Sequence, residues 1–186
     1  MYSSKENFVT PLHLACSKNE LTRPIMNYVH FKNGFAYASD GYVLVKQSLD
    51  DYCQVADKEN LNGKMLHRDA FQRILKADKV TATESGVLCE FHKEKSTQHF
   101  NYGDCESKLP DFEMVMPKIE DRKEVSKIGL RPDKIEQACK CLYAGDSDYE
   151  RKDNTFIFTF YEMSVTIEVM GNENQIALVM QCNLNK

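Results

Sequence analysis

The chain has 186 residues, 42% of them apolar and 28% charged, and a net charge of −4. That apolar share supports a folded core and excludes global disorder. No apolar run approaches the roughly 18 residues of a membrane span, and residues 1–7 lack the apolar stretch of a signal peptide. These features predict a cytoplasmic protein with no membrane contact. The net acidity excludes a protein wrapped in nucleic acid over its whole surface, but it leaves room for a local basic face.

The chain divides into three stretches of like pattern, each a short strand or entry, a helix, then strands joined by tight turns. In the first, over residues 7–49, Thr10 is a candidate N-cap and Pro11 suits the first helical position. Leu12, Ala15 and Cys16 then predict a short amphipathic helix over 11–17. Arg23-Pro24 predicts an extended entry into a sheet, because proline disfavours helix at the residue before it. Strands are expected at 28–31, 35–38 and 42–47, turned by Lys32-Asn33-Gly34 and Asp40-Gly41. Residues 50–62 are polar without a clear period and read as a linker.

The second unit spans 63–102. A strand over 64–66 leads to a helix over 68–77, with Ala70, Phe71, Ile74 and Leu75 on one stripe. Strands follow at 79–83, 87–92 and 97–102. Residues 104–122, with prolines at 110 and 117, read as a connector. The third unit runs from 124 to the end. It is expected to hold a strand at 125–130, a helix opened by Pro132, and strands at 155–160, 165–170 and 175–181. Ile135, Ala138, Cys139 and Leu142 give the helical spacing. Ala144-Gly145-Asp146 is expected to end that helix. The helix starts, at Pro11, Arg68 and Pro132, lie 57 and 64 residues apart. The same element order at such a period predicts an internal repeat.

Cys16, Cys53, Cys89, Cys105, Cys139, Cys141 and Cys182 are odd in number, and the one close pair lacks zinc-site spacing. Settings such as Leu88-Cys89-Glu90-Phe91 predict buried, reduced thiols. No phosphate loop, His-Glu-x-x-His motif or Gly-x-Ser-x-Gly elbow occurs. The five histidines are isolated, Asp40 before Gly41 reads as turn chemistry, and Phe156, Phe158 and Phe160 alternate on one strand face as packing residues. The expectation is a non-enzyme with no cofactor and no metal.

The windows around the three helices carry net charges of +1, +2 and +2, which leaves −9 for the rest of the chain. With sheets outside and helices inside, this predicts a basic lining under an acidic exterior. Such a lining holds phosphates without reading sequence.

Lys18-Asn19-Glu20-Leu21-Thr22-Arg23-Pro24, then Tyr28-Val29-His30-Phe31, Gly34-Phe35-Ala36-Tyr37-Ala38 and Ser39-Asp40-Gly41-Tyr42-Val43-Leu44, resemble the first repeat of DNA polymerase III beta subunits, the sliding clamps. They are closest to the short clamp-like proteins of phages and mobile elements. Leu109-Pro110-Asp111-Phe112 resembles the segment joining the first two clamp domains, and Ile176-Ala177-Leu178-Val179-Met180 is similar to the closing strand. The resemblance implies an α+β, DNA-clamp-like fold of about three β-α-β-β-β units, with antiparallel sheets on one side and helices on the other. A full clamp chain has six such units. Residues 1–105 would form a clamp-like domain of two units, 106–123 a connector and 124–186 the third unit.

The resemblance further implies a replication or repair role, with the chain binding double-stranded DNA or replication proteins, as a processivity factor or as one copy in a homo-oligomer. Arg23 matches the arginine that lies near DNA in the family. Topology adds Arg68, Arg73, Lys76, Arg131, Lys134 and Lys140 as nucleic-acid-binding candidates. If DNA is the ligand, these seven converge on one concave surface. The other reading is a clamp-fold protein-interaction module without DNA contact, acting as a decoy or inhibitor from a phage or mobile element.

Overall fold

Asn33 and Gly34 both take positive φ, 53° and 79°, which is what a two-residue hairpin turn demands of its central pair. They join β1 (Tyr28–Lys32) to β2 (Phe35–Ser39), with Lys32 opposite Phe35. Asp40 and Gly41 then turn the chain into β3 (Val43–Ser48). The computed structural model describes residues 6–104, 111–118, 120, 128–142 and 155–182. Within them follow the short helix α1 (Leu49–Tyr52), β4 (Met65–His67), α2 (Arg68–Ile74), β5 (Lys79–Ala82), β6 (Gly86–Phe91) and β7 (Ser96–Asn101). The one-turn helix α3 (Phe112–Val115), helix α4 (Pro132–Cys141) and strands β8 (Phe156–Phe160), β9 (Ser164–Val169) and β10 (Asn172–Met180) complete the order.

The strands form two antiparallel sheets. One has seven strands in the order β4-β1-β2-β3-β10-β9-β8, the other three in the order β5-β6-β7. Alternation decides which side is buried. Val29, Phe31, Ala36, Ala38, Val43, Val45, Val165, Ile167, Ala177 and Val179 face a core shared with Leu12, Phe71 and Ile74. Helices α2 and α4 lie on that inner side, with Phe71, Ile74, Ala138 and Cys141 in the shared core. A 3-10 turn at Leu12–Ala15 sits between α2 and α4 and touches both. The three-stranded sheet adds Val80, Val87, Cys89 and Phe91 to the same core. The architecture is α+β, with sheets on one side and helices on the other.

Several expectations change in detail. Helix 11–17 shrinks to the 3-10 turn, and Thr10 does not cap it. The Thr10 hydroxyl instead donates to Gln47 Oε1 at 2.5 Å, answering a buried polar group of β3. After Arg23 the chain makes a 3-10 turn, Pro24–Asn27, before β1 starts. The polar stretch 50–62 is not a free linker: Tyr52, Cys53, Val55 and Leu61 are buried, and Ala56 bridges Thr81 beside β5. Likewise the connector is anchored. Phe112 of α3 stacks on Tyr37 at 5.2 Å on the outer face of the large sheet, and Glu113 accepts bonds from Tyr37 Oη at 2.5 Å and Lys46 Nζ at 3.0 Å. Of the expected strand 125–130, residues 128–130 are not in a strand, and the rest lies outside the described residues, as does the helix stop at 144–146. The described cysteines are free thiols, and Cys16, Cys53, Cys89 and Cys141 are buried. Among the described residues no helix is long and apolar enough to cross a membrane.

Two buried histidines make the fold sensitive to acid. Burial pushes the His13 imidazole down to about 4, and the nearby Arg68 acts the same way. His30 is also lowered by burial, against the raising effect of its hydrogen bond to the Ile25 carbonyl. Both rings therefore protonate more readily in the unfolded chain, near 6.5. The His13 contribution is complete above about pH 6.5 and is lost as the pH falls toward about 4, and that of His30 is lost in the same direction. The urea midpoint should drop steadily across that window, and His13→Gln should flatten part of the drop. A midpoint unchanged between those limits would contradict the assignment.

Candidate functional site

Residues 16–20 and Arg23, which follow the 3-10 turn, line one surface with Leu14, Arg68 of α2 and Lys134 of α4. The Asp40-Gly41 turn comes up beside it. Together they enclose an open concavity of about 550 Å³ whose cations are Lys18, Arg23, Arg68 and Lys134 and whose anions are Glu20 and Asp40. It therefore carries two more positive than negative side chains.

Asp40 is the pin of this site. Its Oδ1 accepts from the backbone N–H of Tyr42 and of Val43, each at 2.9 Å. This is the local Asx-type bonding that makes aspartate a turn residue. Its Oδ2 accepts from Lys134 Nζ at 2.5 Å and from Gln137 Nε2 at 3.1 Å, both on α4. Burial alone would raise the Asp40 carboxyl. The bonds from Lys134, Val43, Tyr42 and Gln137 outweigh it and hold the group below its ordinary value. Gln137 Nε2 also donates to the Leu14 carbonyl at 2.7 Å, so one α4 side chain ties the loop and the turn together.

Gly41 has a φ of +89°, and a Cβ there would stand 3.1 Å from the Arg23 guanidinium. Only glycine serves both the turn and this approach. Arg23 is half exposed and lies 3.9 Å from Glu20. Glu20 is lowered by bonds from the Thr22 side chain and backbone. Arg68, the first residue of α2, is 13% exposed; its Nη1 is 3.4 Å from Asp69, and its buried Nε has no hydrogen-bond partner among the described residues. Lys18 is exposed at the rim. Arg131 holds Asp133 through Nε at 3.0 Å and Nη2 at 2.6 Å. Arg131 and Lys134 flank the exposed Tyr42 ring, at 6.0 and 5.6 Å from its centre.

Of the seven expected cations, Arg23, Arg68 and Lys134 line the concavity, and Arg131 adjoins it through Tyr42. Arg73, Lys76 and Lys140 lie elsewhere. Arg73 leans over the Phe91 ring at 4.2 Å and pairs with Glu94, because its position on α2 faces the β6–β7 hairpin. Lys76 follows α2 and is exposed on that same side, its charge acting on Glu94. Lys140 pairs with Glu136 one turn back on α4, at 2.5 Å. Sequence reading passed over Lys18, Tyr42 and Gln137 as site members and took Asp40 for turn chemistry alone. The turn signal was visible, but the Asp40–Lys134 pair spans 94 residues and has no local trace.

The concavity suits an anion. Asp40 is ionised and surrounded by four donors, so it has no proton to move. The Cys16 thiol beside it is raised by burial and is no nucleophile.

Three comparisons bear on this arrangement. No family model matches the chain, and no curated protein sequence matches it. Solved structures do. DNA polymerase III subunit beta of Pseudomonas aeruginosa matches at 14% identity and a TM-score of 0.52, over 92% of this chain and 62% of its own. The Bacillus subtilis DNA polymerase sliding clamp matches at 11% identity and 0.59, over 95% of this chain and 64% of its own. The Bartonella birtlesii sliding clamp matches at 12% and 0.56, over 96% and 66%.

The chain has the sliding-clamp fold. It spans about two thirds of the length of the clamp chains it matches. In this clamp-fold protein the concavity lies on the helix side, opposite the outer sheet face where α3 docks.

Asp40→Ala should cost about 2–4 kcal/mol, because it frees two backbone donors and leaves Lys134, only 15% exposed, without its carboxylate. Denaturant melts check this. A loss below about 0.5 kcal/mol, the range of an ordinary surface change, would show that Asp40 does not pin the site.

Proposed function

We propose that this chain is a non-enzymatic, clamp-type protein that holds double-stranded DNA by its phosphates on the helix side and works with replication or repair proteins in the cytoplasm as a processivity factor. The observation that carries the reading is the meeting of Lys18, Arg23, Arg68 and Lys134 around one concavity, with Arg131 beside it. Arginines there present forked donors to phosphate oxygens, and lysines add point charge. In this reading residues 1–105 act as one clamp-like domain, 106–123 connect, and 124–186 supply a third unit. Further copies complete a surface around the duplex. Arg73, Lys76 and Lys140 take no part.

Two observations favour the second reading, an interaction module without DNA contact: the seven cations do not all converge, since Arg73, Lys76 and Lys140 lie away from the concavity, and Arg73, Arg131 and Lys140 are each already held by a carboxylate. Fluorescence anisotropy with a labelled duplex, titrated across salt, separates the two. Phosphate binding predicts a steep linear fall of log affinity with log salt. Lys18→Gln and Arg68→Gln should each reduce that slope by about 1, while Lys140→Gln leaves it unchanged. No binding at low salt, or equal slopes in all variants, would move the assignment to the protein-interaction module.

A further inference from the structure

Tyr42 stands among the cations of the concavity, yet it is 53% exposed. Its backbone is fixed on both sides. The N–H donates to Asp40 Oδ1 at 2.9 Å, and the carbonyl accepts from Met180 N at 2.9 Å. The Asp40 turn and the end of the β3–β10 ladder thus hold the residue in one place. Arg131 and Lys134 lie over the ring, 6.0 and 5.6 Å from its centre. Core packing does not account for this side chain. Asp40 and Gly41 make the turn, and the next two residues, Val43 and Leu44, supply the buried side chains that start β3.

A duplex makes little use of such a ring. Its phosphates lie outside, while its base faces are stacked inside and must be extruded before a protein can reach them. An unpaired base has a free face. Proteins that hold single strands combine a positive groove for the backbone with an aromatic ring on which a base stacks, and that stacking tolerates any sequence. The concavity has both parts. Asp40 engages Lys134 at 2.5 Å, which leaves Lys18, Arg23 and Arg68 for phosphate, with Glu20 as the remaining anion. The volume of about 550 Å³ falls in the range of pockets that enclose a small ligand. It offers room for one nucleotide and too little for a duplex.

We propose that the concavity takes one unpaired nucleotide, its base stacked on Tyr42 and its phosphate held by Lys18, Arg23 and Arg68. The chain therefore prefers a duplex that carries a single-stranded overhang to a blunt one. This preference rests on the phosphate-binding role of the concavity and adds the kind of nucleic acid it selects. Stacking reads no base identity, so the choice follows strand state and not sequence.

Fluorescence anisotropy at low salt tests it, with two labelled duplexes of equal phosphate number, one blunt and one with a thymidine overhang. The wild-type chain should bind the overhang duplex at least about fivefold more tightly. Tyr42→Leu should bring the ratio of the two affinities to about one, and Tyr42→Phe should restore it. The unaltered chain gives a second route, which decides if Tyr42→Leu fails to fold. Irradiation of 5-iodouracil placed in the overhang should cross-link it to Tyr42, mapped by mass spectrometry, and the same base placed inside the duplex should not react there. Equal wild-type affinity for the two duplexes, a preference that survives Tyr42→Leu, or a cross-link mapped elsewhere would overturn the stacking role and leave phosphate binding standing. Binding to neither duplex would overturn both.

Discussion

Strands β3 and β10 come from opposite ends of the chain, and their antiparallel pairing runs from Gln47 opposite Gln175 to Val43 opposite Val179. That pairing joins the C-terminal strands to the N-terminal ones. At its buried end Gln47 Oε1 accepts from the Thr10 hydroxyl at 2.5 Å and from Gln175 Nε2 at 3.1 Å, and Gln175 Nε2 also lies 3.3 Å from the Cys141 carbonyl. Buried amides of this kind are costly unless answered, so they tolerate little slippage of register. A shift by one residue would turn Val43 and Val45 out of the core and strand both glutamines. The same register sets α4 over β3 and β10, delivers Lys134 to Asp40, and so creates the concavity.

The parts of this fold legible in the sequence are those whose signal is local. The Asn33-Gly34 turn, the stripe on α2, Pro132 at the start of α4 and the alternation of β6 all follow from neighbours a few residues apart. What was obscured had competing causes. Tyr52, Val55 and Leu61 are spread through charged residues at spacings that match neither a helix nor a strand, and their burial comes from distant partners, among them the β5 edge that Ala56 bridges and Asn172 of β10 beside Tyr52. Thr10 had a good local role as a cap and gave it up to a distant glutamine. Charge was legible as an average and not as a map. Arg23, Arg68 and Lys134 share a site, while Arg73 and Lys140 are spent on nearby carboxylates.

The two faces of the large sheet have different characters. The inner face is apolar and carries α2 and α4. The outer face holds a smaller cluster in which Tyr37, Leu44 and Leu178 receive Phe112. Helix α3 thus lies over sheet residues contributed by both ends of the chain, Tyr37 and Leu44 from one and Leu178 from the other. It reinforces from outside the junction that β3 and β10 make from within.

The thiols lend that junction a property of their own. Cys16 and Cys141 are buried where α4 meets the 3-10 turn, and Cys141 Sγ lies 3.7 Å from the Pro11 carbonyl. Burial pushes the Cys141 thiol up to about 12, so almost none of it is thiolate at neutral pH while the contact stays closed. Alkylation of Cys141 must then wait for α4 to lift from its seat. Its labelling rate, followed against the faster reaction of the partly exposed Cys182, reads the opening frequency of α4 in the native protein without any engineered cysteine.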